Sequence, residues 1–350
     1  MPADQVDQED QRDLRDRRDY FVIANPTAGR GRVAQALADV KAAMEAAGVN
    51  YRIAPTERAG HAVELARQAA ADGWKCVVSV GGDGTMGEVL NGIMAAKATR
   101  SIAAATQAAA TAPTSAAPGA AGTATANGGP ALGLIPLGTG NDLARTFGIP
   151  LNVPGAIDVL LHGRLERIDV GKETDGYFAI VQGLGFAAQV MDFCNTHSGW
   201  LRGSPAIFAA TVKLMFTYHP FPMRVVLDDQ TVEGDFITTF VMNTRLTGGG
   251  MLMCPDAVTD DGMLDLCLIK YVSRGSFLPI LTRTYSGGHA THPAVSFYRS
   301  RRVRIEAKEP LRKMYDGNVP RVVTPAEMEC VPRALDLVVP QGAPAGGRRQ

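Results

Sequence analysis

The chain has 350 residues, enough for two domains with a sizeable core. Its 35 Lys and Arg balance 35 Asp and Glu, which argues against a dedicated nucleic-acid binder. Apolar residues at 46% and charged residues at 20% are ordinary for a globular chain, whereas 38 glycines are an excess whose use must be found.

Asp4 to Asp19 are crowded with Asp, Arg and Gln, so residues 1–19 read as a charged tail and not as a secretory apolar segment. From Tyr20, short apolar runs alternate with helical periods. Tyr20–Ala24, Tyr51–Ala54, Lys75–Val80 and Ala131–Ile135 read as strands. Val33, Leu37, Val40, Met44 and Ala47 form a helical stripe, Ala62, Leu65, Ala66 and Ala69 a second, and Thr85–Ala96 a third. This alternation predicts a parallel sheet, an α/β domain over residues 20–154. Residues 97–130 interrupt it with Ala, Thr, Ser, Pro and Gly, and their lack of large side chains predicts a disordered surface insertion.

Beyond Gly155 the rhythm changes. Leu165–Val170, Tyr177–Leu184, Met223–Asp228, Phe236–Met242, Leu264–Ile269, Val295–Tyr298, Val303–Ala307 and Thr324–Val339 read as strands, with helical patches at 204–218 and 274–284. Met223, Val225 and Leu227 alternate with Arg224 and Asp228, the pattern of an antiparallel sheet with one wet face. A mostly antiparallel β-sandwich domain is expected over 155–340, its last part returning to the cleft, with a frayed tail at 341–350. Cys76, Cys194, Cys254, Cys267 and Cys330 include no CxxC pair and read as buried thiols of a reducing compartment. No stretch of 18 apolar residues exists, so a cytoplasmic protein is expected.

Three glycine-bearing loops fall where strands of the first domain end: Asn25-Pro26-Thr27-Ala28-Gly29-Arg30-Gly31, Gly81-Gly82-Asp83-Gly84-Thr85 and Leu137-Gly138-Thr139-Gly140-Asn141-Asp142. Ligands of open α/β sheets bind outside the carboxyl ends of the strands, and glycine lets backbone N–H groups approach phosphate oxygens there. Neither GxGxxG nor GxxxxGK[ST] stands at these positions. Asp83 places an acid among phosphate donors, which suits a cation or an acceptor hydroxyl beside a phosphate and points to phosphoryl transfer.

NPTAG, GGDGT followed by GEVLNG, and PLGTGNDLAR resemble the diacylglycerol kinase catalytic-domain family, which includes sphingosine and ceramide kinases and bacterial lipid kinases. The resemblance continues through DVGK (169–172), QGLGF (182–186), GGGM (248–251) and PDAVTDDGMLDL (255–266), over residues 20–340. It implies an ATP-dependent lipid kinase acting on diacylglycerol, a sphingoid base or ceramide, with ATP in the cleft between an α/β domain and a β-rich lipid domain. It further implies that Asn25, Pro26, Thr27, Ala28, Gly29, Thr56, Gly82, Asp83, Gly84, Thr85, Met86, Gly87, Glu88 and Thr139 line the nucleotide. A Mg²⁺ site is implied at Val258 and Met263 by carbonyl oxygen and Asp261 by carboxylate.

The family's general base belongs to an Asp-Gly-Glu tripeptide, where this chain has Asp316-Gly317-Asn318. Asp316 or Asp83 could take the substrate proton instead; alternatively the chain is a weak kinase, or a regulator that binds nucleotide or lipid. An NAD kinase, which shares GGDGT, is a further alternative. The lipid partner implies contact with the inner membrane surface, and a homodimer is left open. His289 and His292 form an HxxH without a third ligand, Arg299 to Arg304 read as a solvated edge, and the broad apolar surface of Ser204–Met223 suits either core packing or a lipid.

Overall fold

In a computed structural model, residues 19–28, 32–110, 128–196, 204–316, 321–323 and 325–348 are described. The first half is a four-stranded parallel sheet in the order β2 (Tyr51–Pro55), β1 (Tyr20–Ala24), β3 (Cys76–Gly81) and β4 (Ala131–Pro136). Both faces of β1, β3 and β4 are covered, so their sequences are nearly continuous apolar runs. Val22 and Ala24 join Val33, Ala36, Val40 and Met44 of α1 (Arg32–Ala46) in the core on one face. Phe21 and Ile23 join Ala62, Ala66 and Ala69 of α2 (His61–Ala71) and Val89, Leu90 and Ile93 of α3 (Asp83–Ala110) on the other.

Several sequence expectations change here. Helix α3 continues to Ala110, into the stretch expected to be disordered. Alanine has the best helix propensity of any residue, and no proline interrupts the run before Pro113. Lys97 also anchors the helix by donating to the Ala334 carbonyl at 2.7 Å. The remainder of that insertion, 111–127, lies outside the described residues. Asp19, expected at the end of a tail, accepts from Lys75 Nζ at 2.8 Å and from the Asn50 N–H at 3.1 Å.

The short helix α4 (Asp142–Thr146) leads to α5 (Val153–His162), which the expected boundary at 154/155 would have cut. Helix α5 packs Ala156, Ile157, Val159 and Leu160 on the same core face as α1. Its start is written locally: Asn152 accepts the Gly155 N–H at 2.8 Å, and Pro154 lies in the first turn.

The second half is antiparallel. β7 (Val181–Gly185), β9 (Thr231–Met242), β8 (Phe221–Val226) and β14 (Arg302–Ala307) lie side by side. β12 (Leu264–Lys270) pairs with β9 and β13 (Val295–Ser300), and β15 (Leu311–Tyr315) pairs with β7 and β16 (Arg321–Val323). Met223 and Val225 point inward and Arg224 outward, as the alternation requires. The strand β17 (Ala326–Val339) unites the halves. It pairs with β14, runs antiparallel to β5 (Arg164–Glu173), which also pairs β6 (Gly176–Phe178), and reaches β4 at Leu337 opposite Leu132. After β17 the chain does not fray as expected: Gly346 and Gly347 are buried.

The expected helical patches are α7 (Ser204–Leu214) and α8 (Arg274–Arg283); a third helix, α6 (Phe186–Thr196), was not foreseen. His289 is fully buried, with a ring nitrogen 3.0 Å from the Met253 carbonyl oxygen, and belongs to the core. All five cysteines are free thiols. Among the described residues, no helix is long and apolar enough to cross a membrane.

Candidate active site

The three glycine loops meet at the carboxyl end of the parallel sheet. The N–H groups of Leu137 and Gly138 both donate to the Gly81 carbonyl, at 2.8 and 3.0 Å. A Cβ on Gly138 would stand 2.2 Å from the Gly82 Cα, so the second and third loops touch backbone to backbone in a way only glycine permits. The first loop joins through Asn25, whose side-chain amide donates to Thr85 Oγ1 at 3.1 Å and whose Oδ1 accepts from Thr27 N–H and Oγ1.

These loops wall a cleft of about 1040 Å³. Of the residues expected at a nucleotide, Asn25, Pro26, Thr27, Ala28, Thr56, Gly82, Gly84, Thr85, Glu88 and Thr139 line it. Gly29 lies outside the described residues. Met86 and Gly87 are buried in the first turn of α3 and do not line the cleft. Glu88 acts through its carboxylate, which accepts the N–H groups of Gly60 and Ala62 at 3.0 and 3.2 Å and fixes the loop before α2. Sequence reasoning missed Arg32, Glu57, Arg58 and Ala59 in the wall. The two arginines are the cations there, and no motif surrounded them.

Asp83 faces away from this cleft. Its Oδ2 accepts the Asn141 N–H at 2.7 Å and its Oδ1 the Asp142 N–H at 3.0 Å. Asp142 in turn accepts from Gly249 at 2.9 Å and Gly250 at 2.8 Å, at the tip of the hairpin formed by β10 (Leu246–Thr247) and β11 (Met251–Leu252). The position a Cβ would take on Gly140 is 2.6 Å from Asp83 Oδ2 and 3.1 Å from Asp142 Oδ2, so two carboxylates converge over a bare glycine. No salt bridge reaches either acid among the described residues. Burial, then the charges of Asp142 and Asp316, push the Asp83 carboxyl up to about 8, and burial raises Asp142 as well.

Asp316 is placed differently from the role expected of it. It is 1% exposed, and its carboxylate accepts N–H groups from Ala179 at 2.6 Å and from Ile180 and Val181 at 2.9 Å. Its backbone is left-handed at φ 42°. Burial raises its carboxyl to about 6. A carboxylate holding three backbone donors acts as a clamp between the end of β15 and the 179–181 turn. Asn318 lies outside the described residues.

The turn expected to hold Mg²⁺ is compensated from within. Asp261 Oδ1 accepts the Met263 N–H at 3.1 Å, and its other oxygen is held by the Arg299 guanidinium, whose Nε also donates to Asp265 Oδ1 at 3.1 Å. Arg299 stands directly opposite Asp265 in the β12–β13 register, so the strand pairing delivers the cation. Arg348 likewise pairs with Asp260 at 3.1 Å. With both Asp261 oxygens occupied, the turn of Val258, Asp261 and Met263 does not fit a bound metal as it stands.

On the far side of the Asp142 contact, an apolar cavity of about 70 Å³ runs into the sandwich. Phe186, Val190, Met191, Ile207, Phe240, Phe277, Ile280 and Met314 line it, and Thr247, Gly248 and Met251 of the hairpin form its inner end.

The pattern of the diacylglycerol kinase catalytic domain matches residues 19–173, and that of the YegS C-terminal NAD kinase beta sandwich-like domain matches residues 180–339. Together they account for both halves of the fold, and the chain belongs to the diacylglycerol kinase catalytic-domain family. The diacylglycerol kinase of Bacillus subtilis (strain 168) is 26% identical over 321 residues, 91% of this chain and 96% of that protein. The diacylglycerol kinase of Staphylococcus aureus (strain MRSA252) is 27% identical over 319 residues, 91% of each chain. A crystal structure of a diacylglycerol kinase from Bacillus anthracis str. Sterne shares the fold with a TM-score of 0.66 at 21% identity, covering 92% of this chain and 97% of that one. The chain is a lipid kinase of this family.

Proposed function

We propose that this kinase transfers the γ-phosphate of ATP to the free hydroxyl of diacylglycerol. One observation carries the reading: the Asp83–Asp142 pair lies between the polar cleft and the apolar cavity. Gly82, Gly84 and Thr139 border the cleft, while Thr247 and Gly248, next to the glycines that hold Asp142, border the cavity. ATP fits the cleft, with its phosphates on the glycine loops and the N-terminus of α3. The acyl chains fit the apolar cavity after side chains along it move apart.

The acceptor oxygen would attack the γ-phosphorus as the bond to the β-phosphate oxygen breaks and ADP departs. The hydroxyl proton would pass to Asp83 once it has lost its own, its raised pKa making the carboxylate a stronger base than usual. Mg²⁺ bound with the nucleotide would neutralise phosphate charge, and the Asp83 and Asp142 carboxylates converging over Gly140, which carry amide partners but no salt bridge among the described residues, would hold it. The chain would meet its substrate by peripheral contact with a membrane. The test is phosphorylation of diacylglycerol, sphingosine, ceramide and NAD in parallel with wild-type protein and Asp83→Asn. Label in phosphatidate that Asp83→Asn abolishes supports the reading, and label in NAD would replace it.

A further inference from the structure

The residues after β17 form a strap across the two halves, close to the acid pair but outside it. Ala345–Gly347 make a single 3₁₀ turn, with Gly346 and Gly347 both left-handed at φ 60° and 62°. The Gly346 N–H donates to Glu166 Oε1 at 3.0 Å on β5, and its carbonyl accepts the Thr259 N–H at 3.1 Å from the turn before β12. Arg245 Nε donates to the Gly347 carbonyl at 2.9 Å. Backbone groups buried in this way are satisfied at three separate elements.

Two of these contacts bear on the reacting groups. Arg245 directly precedes the β10–β11 hairpin, whose tip donates to Asp142. On the other side, Gly347 lies against Thr146: a Cβ at Gly347 would meet Thr146 Cγ2 at 2.7 Å. Thr146 closes the last turn of α4 by donating to the Asp142 carbonyl at 2.8 Å. The strap therefore touches the helix that carries Asp142 and the hairpin that binds it, from behind. The Asp142 carboxylate joins the two halves at the front, and the strap joins them at the back.

We propose that residues 343–347 are a positioning strap that sets the distance between α4 and the glycine hairpin, with Arg245 and Gly347 as positioning residues for phosphoryl transfer. This rests on the reading of Asp83 and Asp142 as the phosphoryl-transfer site. Neither residue touches the reacting atoms. Their effect passes through the Asp142–Gly249 and Asp142–Gly250 hydrogen bonds, whose loss by even a small displacement separates the cleft from the cavity. Phosphoryl transfer depends mostly on positioning, so such a displacement lowers kcat.

The experiment compares Arg245→Met, Arg245→Lys and Gly347→Val in the full chain, reading kcat, KM for ATP and hydrogen exchange of amides 246–252. Arg302→Met, on the exposed face of β14, is the control for a lost surface ion pair. Arg245→Met is expected to lower kcat between about 10- and 100-fold. Hairpin amides should exchange faster while β1, β3 and β4 keep their protection, and Arg245→Lys should recover part of both. Gly347→Val is expected to do more, because it adds backbone strain and the clash with Thr146. If Gly347→Val fails to fold, Arg245→Met decides the matter. Unchanged hairpin exchange and unchanged kcat in Arg245→Met overturn the proposal, as does protection lost uniformly across the molecule. The underlying site reading fails by a different sign: Asp142→Asn would then leave phosphorylation intact, whatever the hairpin exchange shows.

Discussion

Two groups of acids in this chain are handled in opposite ways. Around the turn at 258–265, Asp260, Asp261 and Asp265 each face a guanidinium, from Arg348 or Arg299, so two permanent cations offset most of the charge of three acids. Around Gly140, Asp83 and Asp142 are held by backbone N–H groups without a salt bridge among the described residues, the nearby Arg145 guanidinium donating to the Gly140 carbonyl at 2.8 Å. Amides orient a carboxylate without removing its charge, and burial first, then the neighbouring acids Asp142 and Asp316, push the Asp83 carboxyl up to about 8. The first arrangement is a finished structural unit. The second is a site that a cation and a proton would complete, and perturbed acids in such places mark function.

The contrast breaks most sharply at Asp83. Asp83→Asn keeps an oxygen for one amide but cannot accept a proton, and we expect kcat to fall between about 100- and 10,000-fold, measured with diacylglycerol in mixed micelles. Asp142→Asn should cost less, because one oxygen still meets the hairpin; a loss of about 10- to 100-fold in kcat is expected. Asp316→Ala should act on the fold, leaving three N–H groups unpaired and lowering stability by about 1–3 kcal/mol in a denaturant titration. Its kcat, corrected for folded fraction, should change less than that of Asp142→Asn. A larger change would return Asp316 to the chemistry.

Acidity gives a signed test. Asp83 binds a proton in the folded chain up to about pH 8, whereas its ordinary value is 3.8. Between those values the folded state holds a proton the unfolded state has lost, so this group makes stability fall as pH rises through that window. Asp83→Asn should flatten the decline of the nucleotide-free melting temperature across that window. Wild-type kcat should rise with pH as the acceptor carboxylate forms, at a lower pH than in the metal-free chain because bound Mg²⁺ favours the ionised acid. The other acid group reads out in stability: Arg299→Met removes the cation from Asp261 and from the buried Asp265 and should cost about 1–3 kcal/mol in a denaturant titration. It should also open Asp261 to Mn²⁺, read by the magnetic resonance of the free ion. Asp261-dependent Mn²⁺ binding by the wild type would erase the distinction between the two acid groups.

The sheet and the glycine loops were legible because each is written locally, as apolar runs, helical spacing or glycine at a strand end, whereas the ten cleft residues followed from the resemblance to the diacylglycerol kinase family. The end of α3 was misread because alanine supplies no periodic stripe, yet it propagates a helix better than any other residue. Helix α5 had a readable start in Asn152-Val153-Pro154, overlooked beside the change of rhythm that follows. The roles of Asp316 and Asp261 were not legible. Their carboxylates meet Ala179, Ile180, Val181 and Arg299, partners distant in sequence that strand pairing alone brings close. The strap was hidden for the same reason, since Gly346 and Gly347 read as a loose end until Glu166, Thr259 and Arg245 meet them.

The central claim is that the acid pair joins a nucleotide cleft to a lipid cavity. Its most direct test is transfer of label from γ-labelled ATP to diacylglycerol in mixed micelles, with Asp83→Asn beside the wild type. The account predicts labelled phosphatidate from the wild type and almost none from the variant. Equal labelling by both proteins, or ATP binding with no labelled lipid from either, would contradict it.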